Sequence, residues 1–411
     1  MNTIQLLHFA DLHIGVENYG RLDTATGLHT RLQDFSRCLE FVVNTALECE
    51  VDAVLFAGDA YKHAAPNPTH ESKFAEQLKR LADAQIPVVM VTGNHDISVS
   101  FGKASALNIF HTLGDHRYFF VAERPQLFRI ETKHGPFQVA CFPWPTRYML
   151  LTKEEYKNLS DVEITRTIEE KCSNRIDKFA RELDPELPSV LLAHLAVAGA
   201  TYSGSERSTI IGQDPVILQS VLKNPAFDYA ALGHIHKHQD LNRNGQPPVV
   251  YPGSPERIDF GEAEDEKGLC LVSLKKGASS YQFLPTPARK FIKIEIDVRT
   301  QDFPTEAIVQ KLAACDVRDA VVRVAYTIRE EQKDLIDVQR IYAALEPAFL
   351  VAGVSPRTEE IRSQRPRIGE DLSLSDALAT YLEFKPELQG MKVDLLDYAD
   401  RLIRELEELT E

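Results

Sequence analysis

Several features that would place a chain of this size in a special class are scarce or missing. The 411 residues contain only six cysteines and no Cys-x-x-Cys pair, which argues against a disulfide scaffold and a cysteine-bound structural zinc. No apolar run is long enough to cross a bilayer, and the N-terminus lacks a signal-peptide pattern. We therefore expect a cytoplasmic protein with no membrane association.

An excess of basic charge is also missing. The chain has 46 basic and 61 acidic residues, a net charge of −15, which by itself argues against a nucleic-acid binder. Local basic patches or bound divalent cations would change the sign of an individual site. With 44% hydrophobic and 26% charged residues, the composition is that of a globular protein of two or three domains.

Short apolar runs rich in β-branched residues alternate with helical patterns through residues 1–285. The runs predict buried strands at residues 4–10, 53–57, 87–92, 190–193 and 229–232. Helices are predicted over 31–47, 71–84 and 213–222, the last with Asp214 as its N-cap, and a strand hairpin over 261–284. This alternation predicts an α/β layered fold built on a mixed sheet.

The pattern changes after residue 285. Strands at 291–298, 320–327 and 349–351, separated by helices that begin at 304 and 335, predict a small α+β domain over 286–363. Residues 364–411 are predicted to be a linker followed by a helical hairpin, with helices over 374–384 and 392–409. The hairpin is too small to bury its own apolar faces, which suggests that it docks on a partner.

Polar residues suited to metal binding follow the ends of five predicted strands. Because strand ends of an α/β sheet meet at one edge, we expect these residues to converge. Asp11 and His13 are expected to point the same way in an extended segment, as are His234 and His236. Two metal ions can be held if Asp59 bridges them. The candidate ligands are Asp11, His13, Asp59, Asn94, His194, His234 and His236.

Mixed imidazole and carboxylate ligands favour manganese, iron, cobalt or zinc over magnesium. A pair of such ions about 3.5–4 Å apart can activate water and bind a phosphate. Each motif alone has a plainer interpretation: Asp-x-His as a capping pair, Gly-Asp as a turn, His194 as a core histidine. The combination of five loops favours a metal centre. His63 and His238 flank these loops, and whether they belong to the site is left open.

The motifs resemble those of the calcineurin-like metallophosphoesterases: Asp-x-His, Gly-Asp, Gly-Asn-His-Asp, a lone histidine and Gly-His-x-His. Longer segments are similar to the SbcD-type nucleases, the nuclease subunits of bacterial DNA double-strand-break repair complexes. The resemblance covers the whole chain and rests on these segments: HFADLHIG, LFAGDAYKHAAPNP, VMVTGNHD, FPWP, LGHIHKHQ and YPGSPERIDFGE. It implies a layered metallophosphoesterase sandwich with a small capping domain and a C-terminal helical hairpin.

The resemblance also implies roles for individual residues. One manganese ion would be bound by Asp11, His13, Asp59 and His236, and a second by Asp59, Asn94, His194 and His234. His95 would be the catalytic histidine that contacts the scissile phosphate or the leaving group. Some relatives have a histidine three residues after the Gly-Asp aspartate. Here that position is Lys62, which puts a DNA-positioning role there in question.

The implied activity is a manganese-dependent DNA exonuclease and endonuclease working with an SbcC-type ABC ATPase subunit. The resemblance further implies a homodimer within a heterotetramer. Two alternatives stay open: a metallophosphoesterase for small substrates, and a structural adaptor that tethers the ATPase to DNA. Candidate DNA contacts are loop cations, namely Arg207, Lys237, Arg257, Arg357, Arg362, Arg365 and Arg367.

Overall fold

Two stacked β-sheets form the centre of the computed structural model, which describes residues 3–97, 104–114, 117–146, 159–204, 214–358, 374–383 and 386–408. The first sheet contains β1 (Ile4–Phe9), β2 (Ala53–Phe56), β3 (Val88–Val91), β4 (Phe119–Ala122), β13 (Gly268–Leu274) and β14 (Ser280–Pro285). The second contains β5 (Gln126–Ile130), β6 (Phe137–Phe142), β7 (Ser189–His194), β10 (Tyr229–Gly233), β11 (Gln239–Asp240) and β12 (Val249–Tyr251). A separate pair comprises β8 (Ala196–Val197) and β9 (Val216–Ile217).

Each large sheet has a parallel centre and antiparallel strands at its margin. The first runs β14-β13-β1-β2-β3-β4, with β1 to β4 parallel and β13 antiparallel to β1. The second runs β11-β12-β10-β7-β6-β5, with only β11 and β5 antiparallel to their neighbours. The predicted mixed α/β fold is confirmed, although the strands belong to two sheets rather than one.

Helices cover the outer faces of both sheets. They are α1 (Thr30–Glu48), α2 (Pro68–Asp83), α3 (Asn108–Leu113), α4 (Asp161–Glu182) and α5 (Gln219–Leu222). The apolar face of α1 buries Phe35, Leu39 and Val42 against the first sheet, as its 3.6-residue period predicts. Between the sheets, Leu6 and Leu55 pack with Val139 and Leu192 in a buried apolar cluster. The result is an α/β/β/α sandwich.

A third sheet with its own core follows. It consists of three parallel strands, β15 (Phe291–Asp297), β16 (Val321–Ile328) and β17 (Leu350–Thr358), with α6 (Pro304–Ala313) and α7 (Val338–Ala344) between them. The predicted β-α-β-α-β order is confirmed. That residues 286–363 form a separate capping domain, with 1–285 and 364–411 as the other units, stays a prediction.

Arg289, just before β15, attaches the third sheet to the sandwich. Its guanidinium donates to both oxygens of Asp34 on α1, at 2.6 and 2.7 Å, and lies 3.7 Å from the centre of the Phe349 ring. A second guanidinium–carboxylate pair, Arg31 with Asp34 at 2.8 Å, is fully buried beside it. These contacts fix the third sheet against α1.

Two further helices, α8 (Leu374–Glu383) and α9 (Lys392–Glu408), form the predicted hairpin and pack against each other. Several apolar side chains of these helices and of the 3-10 turn between them are exposed: Leu374, Tyr381, Met391, Val393, Tyr398 and Leu402. Among the described helices, none is long and apolar enough to cross a membrane.

Some local predictions were wrong. Of the helix predicted over 213–222, only α5 is observed, because Val216 and Ile217 pair as a strand with Ala196 and Val197. Asp214 therefore caps no helix. The hairpin predicted from residue 261 begins at β13, and a 3-10 helix, Phe260–Glu262, precedes it. The last strand of the third sheet is longer than predicted, since it pairs along all of β16.

Candidate metal centre

The candidate ligands lie at one edge of the sandwich, where the carboxyl ends of the central parallel strands meet. Asp11, Asp59 and Asn94 follow β1, β2 and β3 of the first sheet. His194 is the last residue of β7, and His234 and His236 follow β10, both in the second sheet. The convergence predicted from strand ends is therefore observed, and both sheets contribute to it.

An unusual backbone conformation aims several of these side chains. The φ angles of Asp11, His13, Asp59 and His234 are +55°, +50°, +59° and +103°. This left-handed region is uncommon for residues other than glycine. The expected extended geometry was therefore wrong both for Asp11 with His13 and for His234 with His236. Asp11 and His13 lie close together because the loop turns, whereas His234 and His236 face different neighbours, Asn94 and His13.

Three side chains form what we call the first half-site: Asp11, His13 and His236. One potential ligand atom from each lies within 4.8 Å of the others, and all three residues are buried. The Nε2 atoms of His13 and His236 are 3.0 Å apart. Two imidazole nitrogens directed at the same point suit a shared cation.

The second half-site consists of Asn94, His194 and His234. The Oδ1 atom of Asn94 lies 3.0 Å from Nε2 of His194 and 3.2 Å from Nδ1 of His234. The other ring nitrogen of His194, Nδ1, lies 2.7 Å from the carbonyl oxygen of Ala57. That contact sets the orientation of the ring and directs Nε2 into the site.

Asp59 lies between the two half-sites. Its Oδ2 atom is 3.7 Å from Nε2 of His13 and 3.4 Å from Nε2 of His194. Its other oxygen accepts a hydrogen bond of 2.8 Å from the backbone N–H of His95. A Cβ atom on Gly93 would overlap the Asp59 carboxylate, so glycine is required there. The Asp59 carboxylate is therefore within reach of donors from both half-sites.

The charges of the site call for a cation. Burial raises the pKa of Asp11 to about 6, although His194 and His236 oppose the shift. Burial lowers the pKa of His194, but the charge of Asp59 outweighs it and raises that pKa to about 9. A proton on His194 thus offsets the buried carboxylates when no other positive charge is present. A divalent cation held by the same donor atoms would supply this positive charge in place of the proton.

His95 lies at the exposed side of the centre. Its Nδ1 is 2.9 Å from the carbonyl oxygen of Lys62, and its ring centre is 4.8 Å from that of His13. A ring nitrogen also lies within 4.8 Å of ligand atoms of His13 and Asp59. The main-chain carbonyl of Lys62, rather than a side chain, orients this ring. The catalytic role of His95 stays a prediction.

Three further residues support the centre and were not assigned from sequence. The buried carboxylate of Asp96 accepts the backbone N–H groups of Asp59, Ala60 and Gly93 at 2.8–3.0 Å, and so joins two ligand loops. Glu262 contacts His236, and Trp144 packs 4.7 Å from the His234 ring. Trp144 lies in the segment FPWP and Glu262 in YPGSPERIDFGE. Their roles could not be read from these segments, because the histidines that they contact, His234 and His236, are distant in sequence.

The remaining sequence candidates lie away from the two half-sites or outside the described residues. His238 stacks on Phe283 at 4.2 Å and bonds the carbonyl of Tyr251, so it packs rather than joins the centre, whereas His63 is exposed. The guanidinium of Arg257 is half-buried and donates to the carbonyls of Arg289 and Asp265, and its role as a DNA contact stays a prediction. Lys237 and Arg357 are exposed beside acidic partners. The remaining candidates lie outside the described residues: Arg207, Arg362, Arg365 and Arg367.

Fold and centre together define a metal-dependent phosphodiesterase. The family model of the calcineurin-like phosphoesterases matches residues 4–238, more than half of the chain, and the chain belongs to this family. Among curated proteins, it is similar to the SbcD subunit of nuclease SbcCD from Bacillus subtilis (strain 168). The two are 26% identical over 276 residues, which cover 67% of each protein.

Solved structures give a weaker likeness. A dimetal phosphatase from Danio rerio aligns at 10% identity with a TM-score of 0.41, covering 69% of this chain and 97% of the other. A protein of Thermus thermophilus aligns at 13% identity with a TM-score of 0.36, covering 69% and 99%. At these scores neither adds to the argument, and the assignment rests on the family match and the observed sheets.

Proposed function

We propose that the chain is a manganese-dependent DNA nuclease that cleaves duplex ends and has endonuclease activity. It would act in the cytoplasm, in double-strand-break repair, with an SbcC-type ABC ATPase subunit, as a homodimer within a heterotetramer. The observation that carries the proposal is the position of Asp59 between two half-sites of imidazole and carbonyl or carboxylate donors. The likeness to the nuclease subunit supports DNA as the substrate.

In this proposal the first half-site and Asp59 hold one ion, and the second half-site and Asp59 hold the other. When bound, two such cations supply Lewis-acid charge at the phosphate and lower the pKa of water. Residues of the chain would position the ligands and contact the substrate. Asp96 and Glu262 hold the ligands in place. His95, exposed at the edge, is free to contact the phosphate or protonate the leaving oxygen.

The decisive experiment is a cleavage assay of the full chain on end-labelled linear duplex DNA with Mn²⁺, with Mg²⁺ and with EDTA. We expect strong cleavage with Mn²⁺, weaker cleavage with Mg²⁺ and none with EDTA. Bis-p-nitrophenyl phosphate and a cyclic nucleotide serve as comparison substrates. Efficient hydrolysis of these small esters without DNA cleavage would favour a small-substrate phosphoesterase. DNA binding without any hydrolysis would favour the structural adaptor.

The hairpin of α8 and α9 is the proposed contact with the ATPase. Its exposed apolar residues, among them Val393 and Tyr398, leave a surface that a partner helix or groove can cover. Deleting residues 371–411 should abolish co-purification with the ATPase subunit and leave Mn²⁺-dependent cleavage by the isolated chain nearly intact. Unchanged binding of the ATPase, or unfolding of the truncated chain, would contradict this role.

A further inference from the structure

Of the two histidines in the first half-site, His236 has a buried acidic partner. Its Nε2 faces His13, and its Nδ1, on the other side of the ring, lies 2.7 Å from Oε1 of Glu262. The Glu262 side chain is fully buried. When Nδ1 carries the proton and donates a hydrogen bond to this carboxylate, Nε2 keeps its lone pair. Nε2 is the nitrogen that faces the centre.

Glu262 is itself held in place by a buried lysine. Its Oε2 atom lies 2.8 Å from Nζ of Lys267 and accepts the N–H of Ile258 at 3.0 Å. Lys267 also donates to the carbonyl oxygen of His236 at 3.1 Å and to Oγ of Ser254 at 2.9 Å. The same ion pair therefore fixes both the ring and the main chain of His236.

The turn that carries Glu262 contacts the third sheet. Phe260, two residues earlier in the same 3-10 helix, lies with its ring centre 5.1 Å from that of Phe291 on β15. The guanidinium carbon of Arg323 on β16 lies 4.1 Å from the centre of the Phe260 ring, and its Nη2 donates to Oη of Tyr19 at 3.1 Å. Third sheet, turn and metal ligand thus form one continuous set of contacts.

We propose that Glu262 is a positioning residue for His236, and that its turn couples the third sheet to the first half-site. The proposal rests on the two-ion centre proposed above. It implies that displacement of the third sheet changes the metal affinity of the first half-site and not that of the second. The Ala57 carbonyl that orients His194 has no part in these contacts.

The test of the positioning role is Mn²⁺ titration of the full chain by calorimetry and electron paramagnetic resonance. Glu262→Gln should weaken one of two binding events by about 10- to 100-fold and leave the other unchanged. Glu256→Gln is the matched control, since Glu256 is also a fully buried glutamate but accepts the backbone N–H groups of Arg257 and Arg289. It should lower Tm and leave both binding events unchanged.

Equal weakening of both events, or no change in either, would overturn the positioning role. If Glu262→Gln fails to fold, Glu262→Asp replaces it: the charge next to Lys267 is kept, while the carboxylate withdraws from Nδ1. The same selective weakening is expected. A wild-type chain that binds fewer than two Mn²⁺ ions would instead count against the proposed function.

The coupling is tested by Arg323→Ala, which removes the contact of β16 with Phe260. We expect the same binding event to weaken by about 3- to 10-fold. Arg340→Ala is the control, because that arginine pairs with Glu306 between α6 and α7 at 2.6 Å. It should leave both events unchanged. No effect of Arg323→Ala, or an equal effect of both variants, would overturn the coupling.

Discussion

The two half-sites use different means to hold their histidines. In the first, the buried carboxylate of Glu262 orients His236 at 2.7 Å. In the second, a backbone carbonyl orients His194, and His234 packs on Trp144 with its Nε2 3.5 Å from the partly exposed carboxylate of Asp214. A carboxylate raises the basicity of the ligand ring more than a carbonyl does. We therefore expect the first half-site to bind its ion more tightly than the second.

The largest expected effect comes from the residue that the half-sites share. Asp59→Ala should remove both ions and reduce cleavage by more than the about 10²–10³-fold typical of losing one electrostatic contact. Metal content and cleavage rate measure this. Asp52→Ala is the control: this buried aspartate precedes β2 and pairs with His134, so its loss should lower Tm and spare the metals. Loss of only one ion in Asp59→Ala would show that the half-sites are independent.

The His95 side chain should contribute to the cleavage step more than to metal binding or DNA binding. Its side chain is exposed and oriented by the Lys62 carbonyl, and we propose no metal bond to it. His95→Ser should therefore keep both ions and DNA binding while cleavage falls by about 10²–10⁴-fold. Asn94→Ala, one residue earlier, should lose metal at the second half-site. If His95→Ser loses metal as well, the histidine is a ligand.

His8 connects the two sheets on which both half-sites depend. Its Nδ1 and Nε2 lie 3.1 Å from Oη of Tyr229 and 3.2 Å from the carbonyl oxygen of Leu232. Burial lowers its pKa from 6.5 to about 3. Between these values the unfolded chain binds a proton that the folded chain does not, so stability falls as the pH decreases.

His8→Gln keeps one hydrogen-bond donor and one acceptor at this position and removes the titration. Between pH 7 and pH 5, its unfolding free energy should fall by about 2 kcal/mol less than that of the wild type. Denaturant unfolding at both pH values measures the difference. Parallel pH dependence in the two proteins would show that His8 is not the group that titrates.

The smallest expected effect is a change in tryptophan fluorescence, which distinguishes Mn²⁺ binding at the second half-site from binding at the first. Trp144 is the single tryptophan, with its ring 4.7 Å from that of His234 and 5.9 Å from that of His194. Paramagnetic Mn²⁺ at the second half-site should quench its fluorescence. His194→Ala should lose this quenching, whereas His13→Ala should retain it. Quenching that persists in His194→Ala would place the responsive ion elsewhere.

The sequence predicted which candidate ligands meet at this centre better than it predicted the residues that hold those ligands in place. Strand ends and loop motifs are local patterns, so Asp11, Asn94 and His236 could be identified as neighbours from the amino-acid order alone. The contact of Glu262 with His236, and the hydrogen bonds from the Arg257 guanidinium to the carbonyls of Arg289 and Asp265, depend on tertiary arrangement. For the same reason the helix predicted over 213–222 failed: pairing of Val216 and Ile217 with another strand outweighed a capping pattern.

The left-handed conformation at Asp11, His13, Asp59 and His234 bears on how this centre can evolve. Aspartate, asparagine and histidine are the side chains that tolerate this conformation best after glycine. They are also oxygen and nitrogen donors. Exchanges among the three can therefore alter the donor set while the loops keep their shape. A lineage could shift its metal preference through single substitutions here, whereas valine or isoleucine would strain the backbone as well as remove a donor.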